Sequence, residues 1–205
     1  MLWLSPLWAV DCPTSLPQVE VTARFVKASP TVNNQVSQRR LSRKSGRRKD
    51  GSMTLGLTQS GLYIKVLSTF SVRSSKSSRK SCVSLQGVEL EYGFKKTAVL
   101  IDKHYRPGSC EYGVIFKHEA QHVHIMNTKG KSYYRWIKHE LAKRVSSIQQ
   151  ISSKRPRRAQ KKIAAQVKKV AKGLVRQMNK SLSAAHAVID TPENYRKTQE
   201  LCSNW

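Results

Sequence analysis

Residues 111–125 read EYGVIFKHEAQHVHI, and within them His118-Glu119-Ala120-Gln121-His122 fits the pattern H-E-x-x-H. Residues four apart on a helix share a face, so both imidazoles can reach one tetrahedral zinc ion. Glu119 sits one step round, placed to take a proton from a water activated by the metal. At about 100° per residue, Val114, His118, His122 and Ile125 fall within an arc of about 80°. That face is apolar above and below the histidines, as a buried metal helix needs. His124 points away from the arc and is not expected to be a ligand. The extension H-x-x-G-x-x-H is absent, because Thr128 stands where a third histidine would be.

Working outward, the C-terminal side is helical. The expected helices are 110–127, ending near Gly130; 132–149, with Tyr133, Ile137, Leu141, Val145 and Ile148 on one face; and a long one following the basic segment 154–162. In the long helix Ile163, Val167, Val170, Leu174, Met178, Leu182, Ala185 and Ile189 keep a three–four step for about seven turns. Thr191-Pro192-Glu193 is a helix start, with Thr as N-cap, Pro in the first turn and Glu near the positive dipole end. The short helix that follows carries Tyr195 and Cys202.

The N-terminal side reads as strands. Residues 19–27 alternate apolar Val19, Val21, Ala23 and Phe25 with Glu20, Thr22 and Arg24. Strand-like runs resume at 62–72, 83–94 and 98–102, separated by basic, serine-rich turns. Residues 38–52 carry seven Lys/Arg and only Leu41 as an apolar anchor, and read as a solvated loop. The expectation is therefore an α+β protein: a small antiparallel sheet over 19–102 and a helical half over 110–202, in one domain spanning 19–205. Residues 1–18 read as a truncated secretory signal or an N-terminal tail, with Met1–Val10 apolar and without a basic start.

The chain of 205 residues carries 38 Lys+Arg against 12 Asp+Glu, a formal net charge of +26. No run reaches the about 18 apolar residues of a membrane-spanning helix, and no repeat is visible. Residues 154–180 hold eleven Lys/Arg and no acid, with the apolar stripe on one side and cations on the other. Such a face is suited to an anionic envelope polymer or lipid surface. Nucleic acid is a poorer match: residues 137–194 contain no Phe, Trp or Tyr for base stacking, and no helix-turn-helix or zinc-finger pattern accompanies the charge. A non-catalytic basic protein docking lipid or nucleic acid through 154–180 is the alternative to an enzyme.

Four cysteines, Cys12, Cys82, Cys110 and Cys202, are widely spaced and never form C-x-x-C. An even, dispersed set favours disulfides and a periplasmic or secreted protein, with three connectivities open.

The block from Cys82 to Cys202 resembles the bacterial predicted secreted zinc-protease families, whose substrates are unassigned and which are built around H-E-x-x-H. The likeness runs through CVSLQGVELEYGF (82–94), VLIDKHYRPGSC (99–110), EYGVIFKHEAQHVHI (111–125) and HAVIDTPENYRKTQELC (186–202). It implies a zincin-like fold, zinc as cofactor, peptide or protein as substrate, His118 and His122 as ligands, and Glu119 as general base. It also places Asp190 slightly ahead as third ligand. Glu140, 18 residues past His122 on the next helix, is the alternative, resembling the gluzincin arrangement. Tyr195 is a candidate donor to the oxyanion of the reaction, with a packed core tyrosine as its plainer role. A Cys110–Cys202 bridge would tie the turn 190–193 to the metal helix, leaving Cys12–Cys82 as the second pair.

Overall fold

The computed structural model describes Cys12 and residues 17–46, 53–74 and 79–205. The apolar stretch Met1–Val10, read above as a truncated signal or tail, lies outside the described residues. The chain is α+β, with five strands and five helices among those described. It divides into two compact units. One comprises Met1–Arg24, Ile64–Glu91 and Tyr134–Arg176; the other comprises Phe25–Tyr63, Tyr92–Tyr133 and Gln177–Trp205.

The strands are β1 (Glu20–Val26), β2 (Thr31–Val36), β3 (Gly56–Ser74), β4 (Ser81–Asp102) and β5 (Ile151–Ser153). Strand β4 is long enough to pair with all the others. The expectation of an antiparallel sheet is corrected by the register. Strand β2 runs parallel to β4, Thr31 opposite Ala98 and Asn33 opposite Leu100, whereas β5 is antiparallel, Ser81 opposite Ser153. The physical reason lies between β1 and β2. Only residues 27–30 separate them, yet each is a neighbour of β4 in the sheet order β1-β4-β2, so no hairpin is formed by β1 and β2. Between β2 and β4 the chain makes α1 and β3, the long crossover that a parallel pair needs.

A second correction concerns residues 38–52. Helix α1 (Gln38–Ser45) occupies the start of the segment read as a solvated loop. One residue anchors it: Leu41 is fully buried and packs with Val36 and Leu100. A single apolar side chain carries no periodicity, so the sequence pattern is silent here.

The remaining helices are α2 (Cys110–Ser132), α3 (Tyr134–Val145), α4 (Pro156–Ile189) and α5 (Pro192–Gln199). Tyr133 caps α2 rather than lying on α3, Ile148 lies beyond α3, and Cys202 lies past the end of α5. In the first unit, Val83, Leu85, Leu90, Ile137, Leu141, Ile163 and Leu174 are buried. In the second, Val99, Ile101 and Ile115 form a cluster flanked by Leu55, Tyr105, Tyr112 and Val123. Phe25 packs on Tyr92 and Phe94, and its ring lies where a Cβ on Gly130 would be, so α2 can approach β1 only because residue 130 is glycine.

Two disulfides join Cys12 to Cys82 and Cys110 to Cys202. No helix among the described residues is long and apolar enough to cross a membrane.

Candidate metal centre

Helix α2 begins at a sound cap: the Ser109 hydroxyl accepts the Tyr112 N–H at 3.2 Å, and Glu111 sits in the first turn. Its inward face is not the one drawn from the apolar residues. Glu111, Ile115, Glu119, His122 and Met126 are buried, while Val114 and Ile125 are half-buried. The buried face is turned toward Glu119, which is only 5% exposed; His122 is 9% exposed, and His118 stands at the margin. Glu119 is therefore an interior carboxyl, not a group one step off the buried face. Ligating atoms of His118, Glu119 and His122 all lie within 4.8 Å of one another, so the three could hold a metal ion.

The other half of the site comes from the junction of α4 and α5. Thr191 is the N-cap of α5, its hydroxyl accepting the Asn194 N–H at 3.2 Å, with Pro192 in the first turn. This sharp change of direction leaves Asp190 facing α2. Asp190 Oδ1 lies 3.2 Å from His118 Nε2 and 3.2 Å from His122 Nε2. The Tyr195 hydroxyl donates to the same oxygen at 2.6 Å, and its ring lies 5.1 Å from that of His118. One helical turn before Asp190, His186 Nδ1 is 2.9 Å from His122 Nδ1.

The distances around Asp190 are informative. Charge-assisted N–H···O bonds are typically about 2.7–2.9 Å, and both imidazole contacts are longer. Ligands about 2.0–2.1 Å from a tetrahedral zinc stand about 3.3 Å apart. Two imidazole nitrogens and a carboxylate oxygen also form the donor set that zinc favours. The residues present thus fit the ion.

Electrostatics separate the two carboxyls. Burial pushes Glu119 above the usual carboxyl range; the Thr58 hydrogen bond and the two imidazoles oppose this without cancelling it. Burial also pushes Asp190 upward, but there the hydrogen bonds from His118, His122 and Tyr195 outweigh it and hold the group well below its ordinary value. For His122, burial favours the neutral ring, yet Asp190 and then Glu119 prevail and raise it. His186 is lowered, by burial first and His122 second, which suits a neutral ring accepting the His122 Nδ1 proton.

Strand β3 closes over Glu119. The Thr58 hydroxyl donates to Glu119 Oε2 at 2.7 Å. A Cβ on Gly56 would stand 2.6 Å from Glu119 Oε1, so only glycine lets the strand pass this near. Two cavities meet at this point. One of about 290 Å³ is bordered by Thr58, His122, His186 and Asp190; another of about 690 Å³ is bordered by His118 and Glu119; Gly56, Glu119 and Tyr195 border both.

Of the candidates named from sequence, His118, Glu119, His122, Asp190 and Tyr195 are gathered here. Glu140 belongs to the first unit: it lies on α3, 3.2 Å from Arg144 and 3.7 Å from His139. The Cys110–Cys202 bridge joins the first residue of α2 to the segment after α5. His186 was missed as a site residue, although its position four before Asp190 on a helix was a usable signal. Gly56 and Thr58 left none, since their role depends on how β3 crosses α2. No known protein family, no curated protein and no solved structure matches this chain.

Proposed function

We propose that the protein is a zinc-dependent hydrolase of peptide bonds, with the metal held by His118, His122 and Asp190. The observation that carries this reading is the convergence of two Nε2 atoms on one carboxylate oxygen, each at 3.2 Å, beside a buried glutamate. The peptide substrate rests on the resemblance to secreted zinc proteases. Zinc bound there would act as a Lewis acid and lower the pKa of water. Glu119 is the general base: Thr58 occupies Oε2, leaving Oε1 to receive the proton and return it to the departing amine. His186 fixes the ring of His122 through Nδ1, as outer partners of ligating histidines do. The Tyr195 hydroxyl orients Asp190; serving an oxyanion instead would require it to leave that carboxylate. Two disulfides accord with a periplasmic or secreted setting.

The test separates metal from chemistry. After zinc dialysis, elemental analysis should give one zinc per chain in the wild type and in Glu119→Gln, and none in His118→Ala. Hydrolysis of a mixed peptide pool by Glu119→Gln should fall about 10²–10⁴-fold. Wild-type protein that takes up no zinc overturns the reading.

A further inference from the structure

The cavity of about 690 Å³ beside His118 and Glu119 is walled largely by Met53, Leu55, Ile115, Pro192 and Trp205, with Arg196 as its cation. A second cavity, of about 790 Å³, shares Met53, Leu55, Tyr105 and Trp205 with the first. The two are therefore neighbours across a wall in which the Tyr105 and Trp205 rings meet edge to face, centroids 6.0 Å apart. Their chemistry differs. The second cavity is bordered by Arg39, Lys103 and Arg106, all exposed, against one carboxylate, Asp102. Asp102 is buried, and its Oδ1 accepts the His104 N–H at 3.0 Å.

Both volumes fall in the range of about 300–1,000 Å³ that holds small ligands or a few residues of peptide. An apolar chamber at the reacting carboxyl, followed by a cationic one, describes a sequence read along an extended chain. An extended peptide advances about 3.3 Å per residue, so a wall two rings thick is passed in about two or three residues.

We infer that the substrate is a peptide segment presenting a large apolar side chain to the cavity beside Glu119 and an acidic side chain, about two or three residues away, to the cavity of Arg39, Lys103 and Arg106. This rests on the peptide-hydrolase reading, and it adds the class of peptide. Charge complementarity argues for the occupant: a basic segment would face three cations with Asp102 already engaged. Trp205 and Tyr105 act as the partition that sets the spacing.

The experiment uses the full chain carrying Glu119→Gln, loaded with zinc, and fluorescein-labelled decapeptides differing at two positions. Anisotropy should rank Phe with Asp tightest. Replacing Phe by Gly should weaken binding at least about tenfold. Replacing Asp by Asn should weaken it about tenfold at low salt, with the difference shrinking as salt rises. The double variant Arg39→Glu, Arg106→Glu should reverse the preference in favour of Lys over Asp. Salt dependence in the parent protein gives the same information should that variant fold poorly. Wild-type protein then provides kcat/KM on the same peptides. Cleavage indifferent to both positions overturns this inference and leaves the hydrolase reading intact. Selective binding without cleavage by the zinc-loaded wild type overturns the hydrolase reading and leaves the two cavities as a binding site for such a peptide. No binding of any peptide overturns the inference.

Discussion

Helices α2 and α4 are both long, and they bury opposite kinds of residue. Helix α4 turns Ala159, Ile163, Val167, Ala171, Leu174, Val175, Met178 and Leu182 inward and leaves its lysines and arginines exposed. Helix α2 turns Glu111, Glu119 and His122 inward among only two large apolar residues, Ile115 and Met126. Burying ionisable groups opposes stability unless partners offset the cost, so α2 is built against its own interest as a helix. Of the two, the helix bearing more charge has the cleaner core stripe; the one bearing the H-E-x-x-H residues has the compromised one. Composition draws the eye to α4, burial to α2.

Substitutions at three positions sharpen or break that contrast. The largest effect belongs to Leu174→Ala in α4. Leu174 is fully buried, and truncation should cost about 2–5 kcal/mol in urea unfolding. Zinc stoichiometry of the folded fraction should stay unchanged. Loss of zinc without loss of stability would show α4's stripe to be part of the site.

Next comes His186→Ala at the far end of α4, where the apolar stripe gives way to the candidate metal site. Removing the partner of His122 Nδ1 should weaken zinc binding about 10–100-fold in chelator competition. His186→Asn, which can still accept a hydrogen bond, should restore part of it. Equal affinities in all three proteins would make the 2.9 Å contact incidental.

The smallest effect is expected at Lys168→Gln. Lys168 lies on the exposed face of α4, where substitutions change stability by about 0.5 kcal/mol or less. A melting shift beyond that range would reveal a packed role for the cationic face.

The same contrast explains what could be read in advance. The three–four step from Ile163 to Leu182 is a local property, and α4 follows it. The cap at Thr191-Pro192 is equally local, and α5 begins there. Strand β2 was not legible, because TVNNQV has no alternation and Val32 is exposed; its partner residues 98–102 supply the order. Helix α1 hangs on Leu41 alone. At the site, the H-E-x-x-H spacing located two histidines and a glutamate, but not which face is buried. An apolar wheel cannot anticipate a helix whose inward residues are polar. The nearness of Asp190 to His122, 68 positions earlier, is likewise a tertiary fact.

The bridge between Cys110 and Cys202 has a consequence for that last distance. Along the chain, Asp190 is 68 residues from His122. Through the sulfurs the route is much shorter, twelve residues back from His122 to Cys110 and twelve from Cys202 to Asp190. Closing a loop of about a third the length lowers the entropic cost of bringing its ends together by about 0.9 kcal/mol, some fivefold in the effective concentration of one side chain at the other. Oxidation thus shortens a tether made of polypeptide: the reduced chain must bring Asp190 to His122 across a long random segment, whereas the bridged chain holds the two on a short one.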